Sequence, residues 1–149
     1  MAEASRPAKI HSVLFVCAYN AIRSPMAESI ARHYFGRSIY VQSAGVRKGE
    51  IDPFVTTVLG EIGIDASRHR PRTLEELEEW EGLNFDLVIS LSPEAHHAAL
   101  ELTRSLAVAV EYWPTVDASL VQGAREQRLE AYRDVRDGLI SRIRTRLKS

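Results

Sequence analysis

The sequence predicts an α/β fold: a small four-stranded parallel sheet with helices on both faces. Three observations lead there. Four short apolar runs, Ile10 to Val16, Ile39 to Val41, Phe85 to Ile89 and Leu106 to Trp113, are rich in residues that suit strands. Between them lie segments whose apolar residues recur every three or four positions, as on the core-facing stripe of a helix. The two kinds of segment alternate, and that order calls for crossover connections and parallel pairing. In such sheets ligands bind beyond the carboxyl ends of the strands.

Residues 1–9 are polar with one proline and read as a loose tail; residues 10–149 contain no repeat or linker and read as one domain. The first strand closes on Val13-Leu14-Phe15-Val16 and enters the loop Cys17-Ala18-Tyr19-Asn20-Ala21-Ile22-Arg23-Ser24. A helix follows, with Ser24 as N-cap, Pro25 at its first position and a stripe of Met26, Ile30, Ala31, Tyr34 and Phe35 reaching Gly36. The second strand leads into Gln42-Ser43-Ala44-Gly45. Asp52-Pro53 then opens a helix carrying Phe54, Val55, Val58, Leu59 and Ile62, closed by Gly63. Thr73 to Glu81 is acidic and helix-prone, with Leu74, Leu77 and Trp80 at helical spacing. Ser92-Pro93 starts a helix through Ala95, Ala98, Ala99 and Leu102. After the fourth strand comes a loop with Pro114 and Asp117. The final helix spans about Val121 to Leu147, its apolar stripe formed by Leu129, Tyr132, Val135, Leu139, Ile140, Ile143 and Leu147.

Composition narrows the function. Nineteen basic against twenty acidic residues give a formal charge of −1, which argues against a general nucleic-acid binder. No apolar run approaches the roughly 20 residues of a membrane span, so no membrane partner is expected. The single cysteine excludes an internal disulfide, and the first residues lack the apolar core of a signal peptide; a reducing, cytoplasmic setting fits. The adjacent His96 and His97 point apart on a helix and make a poor metal pair, so no metal or cofactor is expected. The acidic run Glu75 to Glu81 and the arginines 125, 128, 133 and 136, interspersed with acids, read as solvated faces.

The chemistry gathers at the first loop. A thiol at a strand end, followed by backbone N–H groups and the positive end of a helix, sits where anions bind and thiolates are stabilised. Arg23, six residues after Cys17, can hold two oxygens of a tetrahedral oxyanion through its planar fork. A carboxylate on the loop after the last strand can reach the same mouth and protonate a leaving oxygen. Asp117, four residues after Trp113, is the candidate, with a cap of the final helix as its other reading; Asp134 and Asp137 lie within that helix among charged residues.

The spacing Cys-x5-Arg-Ser, with Asn20 inside it and Ser24-Pro25 opening the helix, resembles the low-molecular-weight protein-tyrosine phosphatase family and its relatives, the thioredoxin-linked arsenate reductases. The resemblance implies a nucleophilic Cys17, an oxyanion clamp in Arg23, and a phosphate-binding loop through Ala18, Tyr19, Asn20, Ala21 and Ile22. It also implies a Ser24 hydroxyl bonded to the cysteine sulfur, with Asn20, Ser43 and His69 holding the loop's shape. By itself His69, within Arg68-His69-Arg70-Pro71-Arg72, is equally a solvated loop histidine. Asp117 matches the family's acid, with Ala118 in place of the usual proline.

The branch is divided. Ser43-Ala44-Gly45, Asp52-Pro53, Gly63-Ile64-Asp65 and Phe85 to Ile89 are spaced as in the reductases, yet those enzymes carry two further cysteines. Here Ser90-Leu91-Ser92 stands where the first is expected, so a reductase would need an external thiol. Ile22 stands where many members have a second cysteine, leaving an oxidised Cys17 no internal partner. Tyr19 stands where glycine is usual; a positive φ there would cost roughly 1–2 kcal/mol. The expected function is metal-free hydrolysis of aryl phosphate monoesters through a phosphocysteine, on a phosphotyrosine protein or a small aryl phosphate. Arsenate reduction by an external thiol donor, or a non-catalytic oxyanion-binding module, are the alternatives.

Overall fold

The computed structural model describes residues 9–104 and 106–148. Apart from Lys9, the tail expected over residues 1–9 lies outside the described residues. Four strands, β1 (Ser12–Cys17), β2 (Tyr40–Gly45), β3 (Leu87–Ser90) and β4 (Ala109–Tyr112), form one parallel sheet in the order β2-β1-β3-β4. Five helices accompany it: α1 (Arg23–Phe35), α2 (Pro53–Gly60), α3 (Leu74–Glu81), α4 (Pro93–Thr103) and α5 (Arg125–Leu147).

Alternation along the central strand assigns the two cores. Val13, Phe15 and Cys17 of β1 face a cluster with Met26 and Ile30 of α1, Val58 and Leu59 of α2, and Leu129, Tyr132, Leu139 and Ile143 of α5. Leu14 and Val16 face the other layer, where Leu74 and Leu77 of α3 meet Ala95 and Ala99 of α4. Each large side chain so enclosed contributes about 1.5–3 kcal/mol of transfer free energy. The cost of lifting β1 out of this double layer therefore keeps its last residue, Cys17, in place.

Helix starts follow the polar residues at their boundaries. Asp52 accepts the Phe54 N–H at 2.9 Å with Pro53 beside it, Thr73 and Glu76 form a reciprocal capping box, and Ser92 accepts the Ala95 N–H at 3.2 Å. Other expectations are corrected. Helix α1 begins one residue before Ser24, which caps nothing because its hydroxyl is turned to the Cys17 sulfur. Helix α2 stops at Gly60; the turn beyond it carries Gly63 at φ 79°, and Ile64 N–H closes on Leu59 O at 3.0 Å. Helix α5 starts at Arg125, after Gly123 at φ 134°. Trp80 is 68% exposed despite its helical spacing, because α3 ends one residue later and covers the sheet only with Leu74 and Leu77. Strand β4 keeps only the centre of its apolar run, since pairing with β3 covers four residues. Among the described residues no helix is long and apolar enough to cross a membrane.

Candidate active site

The loop after β1 turns its carbonyls to other protein groups. Those of Cys17, Ala18, Tyr19 and Ala21 accept the N–H groups of Val46 (3.1 Å), Arg47 (2.8 Å), Gly49 (2.9 Å) and Asp52 (3.3 Å). The carbonyl of Asn20 lies 3.2 Å from His69 Nε2, and that of Ile22 accepts the Met26 N–H at 3.1 Å. Among the described residues, none of the N–H groups from Ala18 to Arg23 has a protein acceptor. An arc of donors at the start of a helix is an anion nest. Gly45 permits the arrangement: a Cβ there would lie 2.7 Å from Asn20 N and 2.3 Å from Arg47 O.

Cys17 ends β1 with its side chain buried. Its Sγ lies 2.9 Å from Ser24 Oγ and accepts the Ser24 N–H at 3.4 Å. Ser24 Oγ also accepts from Asn20 Nδ2 at 2.9 Å and lies 3.4 Å from the Ala44 carbonyl, so the hydroxyl has three neighbours, the sulfur among them. With the sulfur as thiolate, the Ser24 hydroxyl and N–H can both donate to it. Asn20 also donates to Ser43 Oγ at 2.9 Å and adopts φ 54°, the left-handed conformation that asparagine tolerates. The positive φ thus falls on Asn20 and not on Tyr19, and the strain anticipated for the tyrosine is absent. Tyr19 is half exposed, its ring 5.7 Å from the Arg47 guanidinium, which is itself paired with Glu94.

Behind the loop is a buried ionic cluster whose centre, Glu28, the sequence reading did not single out. Ser43 Oγ donates to Glu28 Oε1 at 2.5 Å, and Arg32 pairs with Oε2 at 3.0 Å; Arg72 and His69 Nδ1 approach Oε1 at 3.9 and 4.0 Å. Arg72, also missed, donates its backbone N–H to Asn20 Oδ1 at 2.9 Å and its Nε to Ser43 O at 3.1 Å. One signal existed: Glu28 stands one helical turn after Ser24 and one before Arg32, on the face of α1 that carries the loop contacts. The His69 side chain is enclosed here and not solvated; burial holds its pKa below the usual histidine value, against the upward pull of Glu28.

Arg23 is half-buried, and its Nη1 donates to the carbonyl of Thr115 at 3.1 Å. That contact joins the loop after Cys17 to the loop bearing Asp117. Asp117 does not cap α5. Its Oδ1 accepts the Ser119 N–H (3.0 Å) and hydroxyl (2.6 Å), capping the one-turn helix Ala118–Leu120, in which Ala118 is buried. Asp137 is engaged by Arg136 at 2.8 Å, and Asp134 is exposed on α5. The serines standing where reductase cysteines were expected have structural partners: Ser90 Oγ lies 2.8 Å from His96 Nδ1, and Ser92 caps α4. His96 also stacks on Tyr112 at 4.8 Å.

The profile of the low molecular weight phosphotyrosine protein phosphatase family matches residues 12–148. The arsenate reductase of Bacillus subtilis is 30% identical over 132 residues, 89% of this chain and 91% of its own length. That of Halalkalibacterium halodurans is 32% identical over 134 residues, covering 89% and 92%. The crystal structure of the low molecular weight protein tyrosine phosphatase from T. tengcongensis superposes with a TM-score of 0.71 at 27% identity, covering 89% of this chain and 95% of that one. Fold, loop and profile agree across nearly the whole described chain, which therefore belongs to the low molecular weight phosphotyrosine protein phosphatase family.

Proposed function

We propose that this protein is a cysteine-dependent phosphatase hydrolysing aryl phosphate monoesters of the phosphotyrosine type in a reducing compartment. One observation supports the choice: Arg23 is bonded to the backbone of the loop that carries Asp117, two residues before that carboxylate, which ties the proposed acid's loop to the loop of the proposed nucleophile. A proton donor to the departing aryl oxygen serves ester hydrolysis directly; arsenate, whose oxygens exchange readily, asks less of such an acid when it loses one as water. The Cys17 thiolate attacks phosphorus while the loop N–H groups and Arg23 hold the non-bridging oxygens. As the S–P bond forms, the bond to the aryl oxygen breaks and Asp117 gives that oxygen its proton. Asp117 then takes a proton from water, the water oxygen attacks phosphorus, and the S–P bond breaks to release phosphate and the thiolate.

A second reading, arsenate reduction with electrons from an external thiol, is favoured by the reductases among the relatives. It uses the same pocket and cysteine and depends less on the acid, since the oxygen lost from arsenic leaves as water. The test is hydrolysis of an aryl phosphate across mildly acidic pH, beside arsenate reduction with glutathione or another low-molecular-weight thiol, for wild type, Cys17→Ser and Asp117→Ala. Hydrolysis lost in both variants, with a burst of phenol in the wild type, supports the phosphatase. Arsenate turnover that needs Cys17 and is little changed in Asp117→Ala supports the reductase. Phosphate binding with neither activity makes the protein an oxyanion-binding module.

A further inference from the structure

The segment Arg68-His69-Arg70-Pro71-Arg72 does more than hold the loop. His69 and the backbone of Arg72 are turned to Asn20, while the flanking arginines line a separate cleft of about 270 Å3. Arg32, Arg68, Arg70 and Arg72 border this cleft, against two carboxylates, Glu28 and Asp65. Asp65, whose carboxyl is held below the usual range by its bonds to Ser67 and by the charge of Arg68, opposes part of that arginine's charge, so four arginines against two carboxylates leave the cleft net positive. Both oxygens of Glu28 are already engaged, one by Ser43 and the other by Arg32. Asp65 Oδ1 accepts the Ser67 N–H at 2.9 Å within its own turn.

The four arginines divide into two kinds. Arg32 and Arg72 are held by protein oxygens, with Arg32 Nη2 on Val41 O at 2.6 Å and Arg72 Nε on Ser43 O at 3.1 Å, and they share the single charge of Glu28, so the pair leaves a net positive charge fixed behind the cleft. Arg68 and Arg70 are exposed and, among the described residues, make no side-chain hydrogen bond or ion pair. Two uncommitted planar forks two residues apart, backed by that net positive charge, match the oxygens of a tetrahedral anion.

We infer that this cleft is a second oxyanion site, taking inorganic phosphate or an ion of the same shape between Arg68 and Arg70. It is distinct from the loop at Cys17; its two arginines flank His69, and Arg70 stands two residues before Arg72, His69 and Arg72 being the two groups of this segment that fix Asn20.

Titration calorimetry of inorganic phosphate into the full-length protein tests this. Wild type is expected to bind two phosphates. The Arg68→Ala/Arg70→Ala variant, altered only at exposed side chains, should lose one site by about tenfold or more, with Arg68→Lys/Arg70→Lys retaining part of it. Arg23→Ala should lose the other. Added salt should weaken the cleft site, as for any exposed charge pairing. A single wild-type site abolished by Arg23→Ala and untouched in the double variant overturns the inference. A single site lost in the double variant and kept in Arg23→Ala upholds the cleft while removing the loop as a phosphate site.

Discussion

The two loops that meet at Arg23 are built on opposite plans. In the loop from Cys17 to Ser24, all six carbonyls from Cys17 to Ile22 have partners, and Asn20 uses both its amide and its carbonyl oxygen. The loop from Trp113 to Val121 is fastened at its start, where Trp113 and Thr115 N–H groups bond to Ser90 and Leu91 carbonyls, and by the Arg23 contact. Beyond Thr115 it has one turn of helix, with Val116 and Leu120 largely exposed. The contrast suits the chemistry proposed. Binding an oxyanion rewards donors already fixed in position, whereas an acid that serves leaving groups of different shape needs only to reach them.

Substitutions should separate the two plans. The largest effect is expected for Cys17→Ser, which should lower aryl phosphate turnover by at least about 10³-fold while phosphate binding persists; retention of more than a tenth of the activity would remove the thiolate mechanism. Asn20→Ala strikes the fixed loop, stranding buried partners and placing alanine in the left-handed region. Its cost of about 3 kcal/mol should lower the melting temperature by about 6–12 °C, read by calorimetry.

Asp117→Asn acts on the lightly held loop. Turnover should fall about 10²-fold with little change in melting temperature, since the amide oxygen can still accept from Ser119. A drop in stability comparable to that of Asn20→Ala would erase the contrast between the loops. A smaller effect concerns pH. Burial lowers the His69 pKa, so the native state binds fewer protons there than the unfolded chain, whose histidine titrates near 6.5. Stability from this source is present above about pH 6.5 and declines as pH falls toward the folded pKa; in His69→Gln the loss of melting temperature between about pH 7 and 5 should be shallower. The smallest effect lies away from both loops. Arg133 and Arg136 lower the Glu61 pKa from 4.5 to about 2, so its contribution is lost only as pH falls through that interval, and Glu61→Gln should flatten acid unfolding there.

The fixed loop was the more legible of the two. Cys17, Arg23, Ser24, Asn20 and Ser43 stand at spacings that the resemblance supplied, and a strand-loop-helix order can bring such residues together in only a few ways. Asp117 was found by reach alone, and its attachment to Ser119 and the one-turn helix was not foreseen. Glu28 and Arg72 escaped because a charged residue on a helix or loop is ordinarily solvated. Nothing local says that one will be enclosed. Whether Tyr19 takes a positive φ was open for a related reason: which residue of a tight loop turns left-handed, here Asn20, depends on where its carbonyls find donors, and those donors come from residues 46–52 and His69.

By itself the sequence determined the alternation of strands and helices, the caps at Asp52, Thr73 and Ser92, and the place of the cysteine, because periodicity and capping act over a few residues. The tertiary structure alone decided which charges are buried and paired. Glu28 and Arg32 pair one turn apart on α1, but His69 and Arg72, up to 44 residues away, reach Glu28 only once α1 and the segment after α2 have packed against β2.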